Sequence, residues 1–166
     1  MNLSALKSPP FRSYVVSLHL ALNGFWAQRV IIGWLAWEMT GSAGFVGLVA
    51  FLNFFPTLFV SPLFGVFADR IDVRKGSILS YALAGILSAL FAGLCIFGSP
   101  TPILLALFSL VTGVISSANH PMRMSLTPRL APAGDLPSVV AITSLNFNMS
   151  RLTGPAIGGI LIQTIG

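Results

Sequence analysis

The segment Gly65-Val-Phe-Ala-Asp69-Arg70-Ile-Asp72-Val-Arg74-Lys75 carries the most structural information in this 166-residue chain. A glycine, which lets a helix approach its neighbour closely, is followed four residues later by an acid and at once by a cation. Two more cations begin the next apolar stretch. The plain alternative is an ordinary basic loop on the cytoplasmic side of a membrane. The order of the charges favours a specific loop that joins two membrane helices.

Composition on either side of this loop indicates a membrane protein. Hydrophobic residues make up 55% of the chain and charged residues 8%, whereas a soluble domain has about 25% charged residues. Disorder requires low hydrophobicity and high charge, so it is excluded. The net charge of +5 fits loops that face an anionic membrane surface, and we expect no nucleic-acid partner.

Few residues are available for catalysis or metal binding. The chain has one cysteine, two histidines and four acids, and its glycine-rich segments lack the ending of a phosphate-binding loop. We therefore expect no enzyme activity, no metal site and no cofactor.

The uncharged intervals predict an all-α membrane protein with about five transmembrane helices. Between Lys75 and Arg123 lie 47 uncharged residues, enough for two spans joined by a turn at 98–102. In lipid the backbone must satisfy its own hydrogen bonds, which favours helices. An exposed cytoplasmic leader at 1–12 precedes a partial bundle at 13–166. Its helices are expected at about 13–38, 44–66, 76–97, 103–121 and 137–165.

In this predicted topology, the lysines and arginines of the connections lie on one side of the membrane. The turns near residues 40 and 100, on the other side, carry none. This positive-inside pattern places the N-terminus in the cytoplasm and makes the protein a multi-pass inner-membrane protein. A signal peptide at 1–28 is the alternative, but the apolar run continues through Val30-Ile31-Ile32 without a cleavage site. The cations on the cytoplasmic side are Lys7, Arg12, Arg70, Arg74, Lys75, Arg123 and Arg129.

The loop resembles the signature loop of the major facilitator superfamily of secondary transporters. Asp72 stands where that family usually has glycine, and Val73 where a cation is common. With Asp72 at this position, the loop resembles that of the branch of bacterial efflux proteins that includes the enterobactin exporter. The segments 40–43 and 151–159 resemble the first external turn and the fifth helix of that branch. The residues that match the signature loop are Gly65, Asp69, Arg70, Arg74 and Lys75.

The resemblance covers the first five of the family's twelve helices, most of its N-terminal six-helix half. It implies that this chain is a portion of a transporter. The expected partners are the missing C-terminal helices, the lipid bilayer and a small-molecule substrate. It further implies proton-coupled export of a drug or siderophore-like molecule by alternating access. Asp69 would gate the transporter, with Arg70 or Arg123 as its ion-pair partner.

Polar residues inside the spans are candidates for the substrate path. A charge in mid-membrane is costly and usually faces a cavity or a partner, which singles out Arg29 and Arg151. Asn148 lies on the face of Arg151, and His19 and Asn23 share a face of the first helix. Snorkelling, or structural hydrogen bonds to neighbouring helices, would explain the same residues. His19 is also a candidate proton-coupling group.

Small residues in the fourth and fifth helices predict packing seams or cavity linings, and packing is the commoner use. Gly154 and Gly158 are spaced for close helix contact, with Pro155 as a kink point and Gly159 beside them. In the fourth helix the stripe is Ser109, Thr112, Gly113, Ser116 and His120.

Two alternative functions stay open. A small membrane assembly or accessory protein would not need the 65–75 loop. A dimerising half-size transporter would require an even helix count or dual topology, which the one-sided charge distribution disfavours.

Overall fold

The residues that the structure describes form five long helices. The computed structural model describes residues 4–68, 72–131 and 135–165, and side chains are described for all of these except 64–68 and 165. A 3₁₀ helix at Ser4–Lys7 comes first, and the described ranges contain no strand. The all-α prediction is confirmed. The α-helices are α1 (Pro9–Thr40), α2 (Ala43–Ala68), α3 (Val73–Phe97), α4 (Pro102–Arg129) and α5 (Leu136–Ile165).

Helices α1 and α4 differ most from their predicted bounds, and both are longer. Helix α1 begins at Pro9, inside the expected leader, and proline suits a first helical turn because its missing N–H has no partner there anyway. Helix α4 continues to Arg129, so Arg123 lies within the helix and not beyond its end. The leader is not exposed throughout, because Ala5 and Phe11 are fully buried.

Within the described part of the chain, four helices are long and apolar enough to cross a membrane: α1, α2 over Ala43–Leu63, α3 and α4. Helix α5 has 30 residues, which exceeds the roughly 20 needed for a span. It does not reach the same hydropathy, since residues 143–153 include serine, threonine, asparagine and Arg151. Its crossing of the membrane therefore stays a prediction.

Large apolar side chains cover the outside of the helices. Leu58 is 71% exposed, Phe97 91% and Leu152 76%. A soluble protein rarely exposes such extensive apolar surface, whereas lipid is a good solvent for it. The exposed surface agrees with the membrane assignment.

Local hydrogen bonds explain where α1 ends and α2 begins. Gly41 has a φ of +59°, a left-handed conformation that favours glycine. Its N–H donates to the Trp37 carbonyl at 2.7 Å. The Ser42 hydroxyl accepts from the Phe45 N–H at 3.3 Å and so caps α2. The predicted tight turn at 40–43 is present.

The chain divides into two compact units, of which the first contains Met1–Ile31 and Thr127–Gly166. Its apolar core joins the leader to the start of α5. Val139 is fully buried and Ile142 nearly so, packed with Ala5 and Phe11. The Tyr14 hydroxyl also lies 3.0 Å from the Thr127 hydroxyl.

The second unit is Ile32–Leu126. One apolar cluster joins Ile32 and Ala36 to Val49 and Leu105, and the rings of Phe91 and Phe108 stack with centroids 4.2 Å apart. A second cluster contains Val73, Ala118 and Met122.

Helices α2 and α4 meet along part of the small-residue stripe. The side-chain amide of Asn53 donates to the Ser109 carbonyl at 3.3 Å and to the Thr112 hydroxyl at 3.2 Å. A Cβ on Gly113 would stand 2.5 Å from the Asn53 carbonyl oxygen. This part of the stripe is a packing seam, whereas His120 at its end is exposed.

Candidate functional site

A polar network joins α1 to α5 inside the first unit. We call it the α1–α5 seam and define it by His19, Asn23, Asn146, Ser150 and Thr153. Asn146 and Ser150 are buried, as is Asn23. Since polar groups away from water need hydrogen-bond partners, the arrangement of donors and acceptors decides the chemistry of the seam.

The imidazole of His19 contacts α5 through Nδ1. That nitrogen lies 2.6 Å from Asn146 Oδ1 and 3.1 Å from the Ser150 hydroxyl. The Asn146 amide nitrogen donates to the Val15 carbonyl at 3.1 Å. Because this bond fixes the orientation of the amide, Oδ1 faces His19 as an acceptor. Nδ1 therefore carries a proton and donates it to Asn146.

The other ring nitrogen of His19 faces Asn23, one turn further along α1. Asn23 Nδ2 donates to the His19 backbone carbonyl at 2.9 Å and lies 3.1 Å from His19 Nε2. The Thr153 hydroxyl donates to Asn23 Oδ1 at 2.6 Å. Nε2 is therefore the acceptor, and His19 is the neutral tautomer with its proton on Nδ1.

Two arginines share one indole further along the same helices. The Arg29 Cζ lies 5.4 Å from the centre of the Trp26 ring and 4.8 Å from that of Phe25. The Arg151 Cζ lies 5.7 Å from the Trp26 ring centre. These distances are within the range of cation–π attraction. We call Trp26, Arg29 and Arg151 the arginine–indole cluster.

The arginine–indole cluster contains two guanidinium groups. The segments that form it, residues 9–31 and α5, contain no aspartate or glutamate. The Trp26 Nε1 is buried and has no hydrogen-bond partner among the described residues. Such a site is suited to an anion or to a ligand rich in hydrogen-bond acceptors.

Glycines of α5 hold Trp26 in place. A Cβ on Gly154 would stand 2.5 Å from the Trp26 Cβ, and one on Gly158 would stand 2.9 Å from the Ala27 carbonyl oxygen. The helices thus approach as closely as the Gly-x-x-x-Gly spacing permits. Pro155 lies between these glycines, whereas an added Cβ on Gly159 would meet nothing within 4 Å.

The structure separates Asn148 from the other candidates on α5. It is exposed, and its amide donates to the Ser144 carbonyl of its own helix at 2.9 Å. Asn146, Ser150 and Thr153 contact α1 instead, and none of them is among the residues predicted from the sequence. Asn146 and Ser150 belong to a second stripe at spacings of three and four, and Thr153 lies beside it. The stripe is Val139, Ile142, Asn146, Ser150, Gly154 and Gly158.

The cytoplasmic loop is described in part. Gly65 lies within α2, and Asp69 and Arg70 lie outside the described residues. Asp72 has a local structural role, because its carboxylate accepts from the backbone N–H groups of Arg74 at 3.0 Å and Lys75 at 3.3 Å. It is the N-cap of α3.

The chain was compared with known proteins. A family model described as "Transmembrane secretion effector" matches residues 1–166. The staphyloferrin A transporter of Staphylococcus aureus is 26% identical over 149 residues, covering 88% of this chain and 37% of the relative. The enterobactin exporter EntS of Shigella boydii is 32% identical over 173 residues, covering 100% of this chain and 40% of the relative. EntS of Escherichia coli O127:H6 is also 32% identical, over 183 residues, with the same coverage.

The chain thus spans about two fifths of the length of the curated relatives it matches. No solved structure matches it. The full-length family match, the similarity to transporters and the apolar helices agree with the resemblance found in the 65–75 loop. This chain belongs to the transmembrane secretion effector family of major facilitator transporters.

Proposed function

We propose that this chain is the N-terminal portion of a secondary active transporter that exports a small molecule by alternating access, coupled to the proton gradient. Family membership supports transport of a small molecule. The relatives named for enterobactin and staphyloferrin A favour a siderophore-like substrate over other drug-sized molecules.

The arginine–indole cluster is the observation that carries this proposal. A purely structural arginine in a membrane helix is expected to pair with an acid or to reach the interface. Here two guanidinium groups, one from α1 and one from α5, lie within cation–π distance of the same indole. In the proposed transporter, Arg29 and Arg151 line the substrate path and bind anionic or acceptor groups through charge-assisted hydrogen bonds.

The cytoplasmic loop supplies the proposed gate. Asp69 forms an ion pair with Arg70 or Arg123 in one of the two access states. An exposed pair contributes about 0–1 kcal/mol, which is enough to bias two states of similar free energy without holding the fold together. The one-sided charge distribution supports a cytoplasmic N-terminus in a bacterial inner membrane.

Transport by inverted membrane vesicles tests the proposal. The protein that carries this chain is expressed in a bacterium lacking its own siderophore exporters, and uptake of metal-free enterobactin and of staphyloferrin A is measured with and without a proton gradient. We expect gradient-dependent uptake of at least one probe. No uptake of either probe, with the protein present in the membrane, would contradict the proposal.

Arginine variants connect transport to the cluster. Arg29→Gln and Arg151→Gln each remove a charge-assisted bond, so we expect uptake to fall about 10- to 100-fold. Arg129→Gln is the matched control, because Arg129 is an exposed arginine at the end of α4. If uptake fell equally in all three variants, the cause would be the loss of one positive charge anywhere in the protein and not a role in the substrate path.

A further inference from the structure

We infer that His19 is a proton-binding site, and that a proton on its Nε2 turns over the side-chain amide of Asn23, which reverses the bond between Asn23 and Thr153 and removes the bond from Asn23 to Ser150. The use of this switch in transport rests on the proposed function. The switch itself rests only on the α1–α5 seam.

The present hydrogen-bond pattern admits only a neutral imidazole. Nδ1 donates to Asn146, whose amide is held by the Val15 carbonyl. Nε2 accepts from Asn23, whose amide is held by the His19 carbonyl at 2.9 Å. Both amide orientations are set by backbone carbonyls, which only accept, so the tautomer follows without further assumption.

A proton added to Nε2 makes that nitrogen a donor facing the Asn23 amide nitrogen, which is also a donor. The clash is relieved if the Asn23 amide turns over and presents Oδ1 to Nε2. The Thr153 hydroxyl then accepts from Asn23 Nδ2, and its own hydrogen turns to the Met149 carbonyl at 2.9 Å.

Reversal of the Asn23 amide removes a hydrogen bond from a residue of each helix. The His19 carbonyl loses its Asn23 donor, and the Ser150 hydroxyl loses an Asn23 contact of 3.3 Å. The contact between Thr153 and Asn23 survives with its donor and acceptor exchanged. Proton binding therefore reverses one bond between α1 and α5 and removes another, while the bond from His19 Nδ1 to Asn146 stays.

The residues that contact His19 from α5 carry no charge. Helix α5 faces the ring with Asn146 and Ser150, neither of which ionises. The other ionisable residues of 9–31 and α5 are Arg12, Tyr14, Arg29 and Arg151, and none of them is a carboxylic acid. The hydrogen-bond partners of the ring in the seam are therefore amide and hydroxyl groups.

Nuclear magnetic resonance of the chain in lipid nanodiscs tests the switch. His120→Gln leaves His19 as the single histidine, and circular dichroism checks the helix content of each sample. At neutral pH we expect the Nδ1-protonated tautomer, identified by its ¹⁵N shifts. On acidification, the side-chain amide signals of Asn23 should change in step with the protonation of His19. An Nε2-protonated tautomer, or a titration that leaves the Asn23 amide unchanged, would overturn the inference.

A second variant tests the donor role of Asn23. Asn23→Asp has nearly the same shape but only accepts, so it should favour protonated His19 by at least about tenfold at a fixed mildly acidic pH. Asn148→Asp is the matched control, because Asn148 is exposed and bonds to its own helix. Equal effects of the two substitutions would contradict the inference. Transport is not measured, so failure of the export assay and failure of the switch remain distinct results.

Discussion

Gly154 of α5 lies so close to Trp26 of α1 that a Cβ on Gly154 would stand 2.5 Å from the Trp26 Cβ. Helix backbones meet at this contact, with no flexible side chain to yield. The position of the indole between Arg29 and Arg151 therefore depends on the smallest residue in α5.

Gly154→Ala should separate α1 from α5. Overpacking of this kind costs about 1–3 kcal/mol, so we expect a lower temperature of unfolding in detergent. Gly159→Ala is the control, because an added Cβ there meets nothing within 4 Å. Unfolding of both variants at the wild-type temperature would show that the contact yields easily.

Asn53→Ala should weaken the contact between α2 and α4. The amide bonds the Ser109 carbonyl and the Thr112 hydroxyl, and hydrogen bonds between membrane helices contribute about 0.6–1.7 kcal/mol. The expected result is a loss of that size in the free energy of unfolding in mixed micelles. Asn148→Ala removes an amide that bonds within its own helix, and it should have less effect. If Asn148→Ala lost more free energy of unfolding than Asn53→Ala, the stabilising role given to Asn53 between α2 and α4 would be wrong.

Asp72→Ala should destabilise the start of α3 by about 1 kcal/mol, because two backbone N–H groups lose their acceptor. Asp72→Asn keeps an acceptor oxygen at the cap and removes the charge, so it should retain most of the stability. Thermal unfolding of both variants measures the difference. If Asp72→Asn were as unstable as Asp72→Ala, charge rather than capping would be the stabilising property.

Asp69→Asn should leave membrane insertion unchanged and reduce transport. An exposed ion pair of about 0–1 kcal/mol corresponds to a change of up to about fivefold in the balance of access states. Uptake into inverted vesicles, normalised to the amount of protein in the membrane, measures the effect. Wild-type uptake by this variant would remove Asp69 from the gate.

The sequence predicts the helices well because spans and their connections differ sharply in charge and turn residues. The interval from Lys75 to Arg123 and the breakers at 98–102 separate α3 from α4 correctly. Helix ends are harder to predict, since Pro121 favours an end two residues before Arg123, whereas α4 continues through it to Arg129. The buried face of α5 was also missed. The stripes through Asn148 and through Asn146 have the same period, and only the position of α1 decides which of them is buried.

The α1–α5 seam also has a consequence for biosynthesis. The bonds from His19 and Asn23 to α5 join residues 127 to 131 positions apart. At about 5–20 residues per second, α1 leaves the ribosome roughly 6 to 25 seconds before its partner. During that interval, His19 and Asn23 must be hydrated or bound by the insertion machinery. Helix α5, which has no stretch as apolar as the spans of the other four helices, then enters beside a helix that already presents the complementary donors and acceptors.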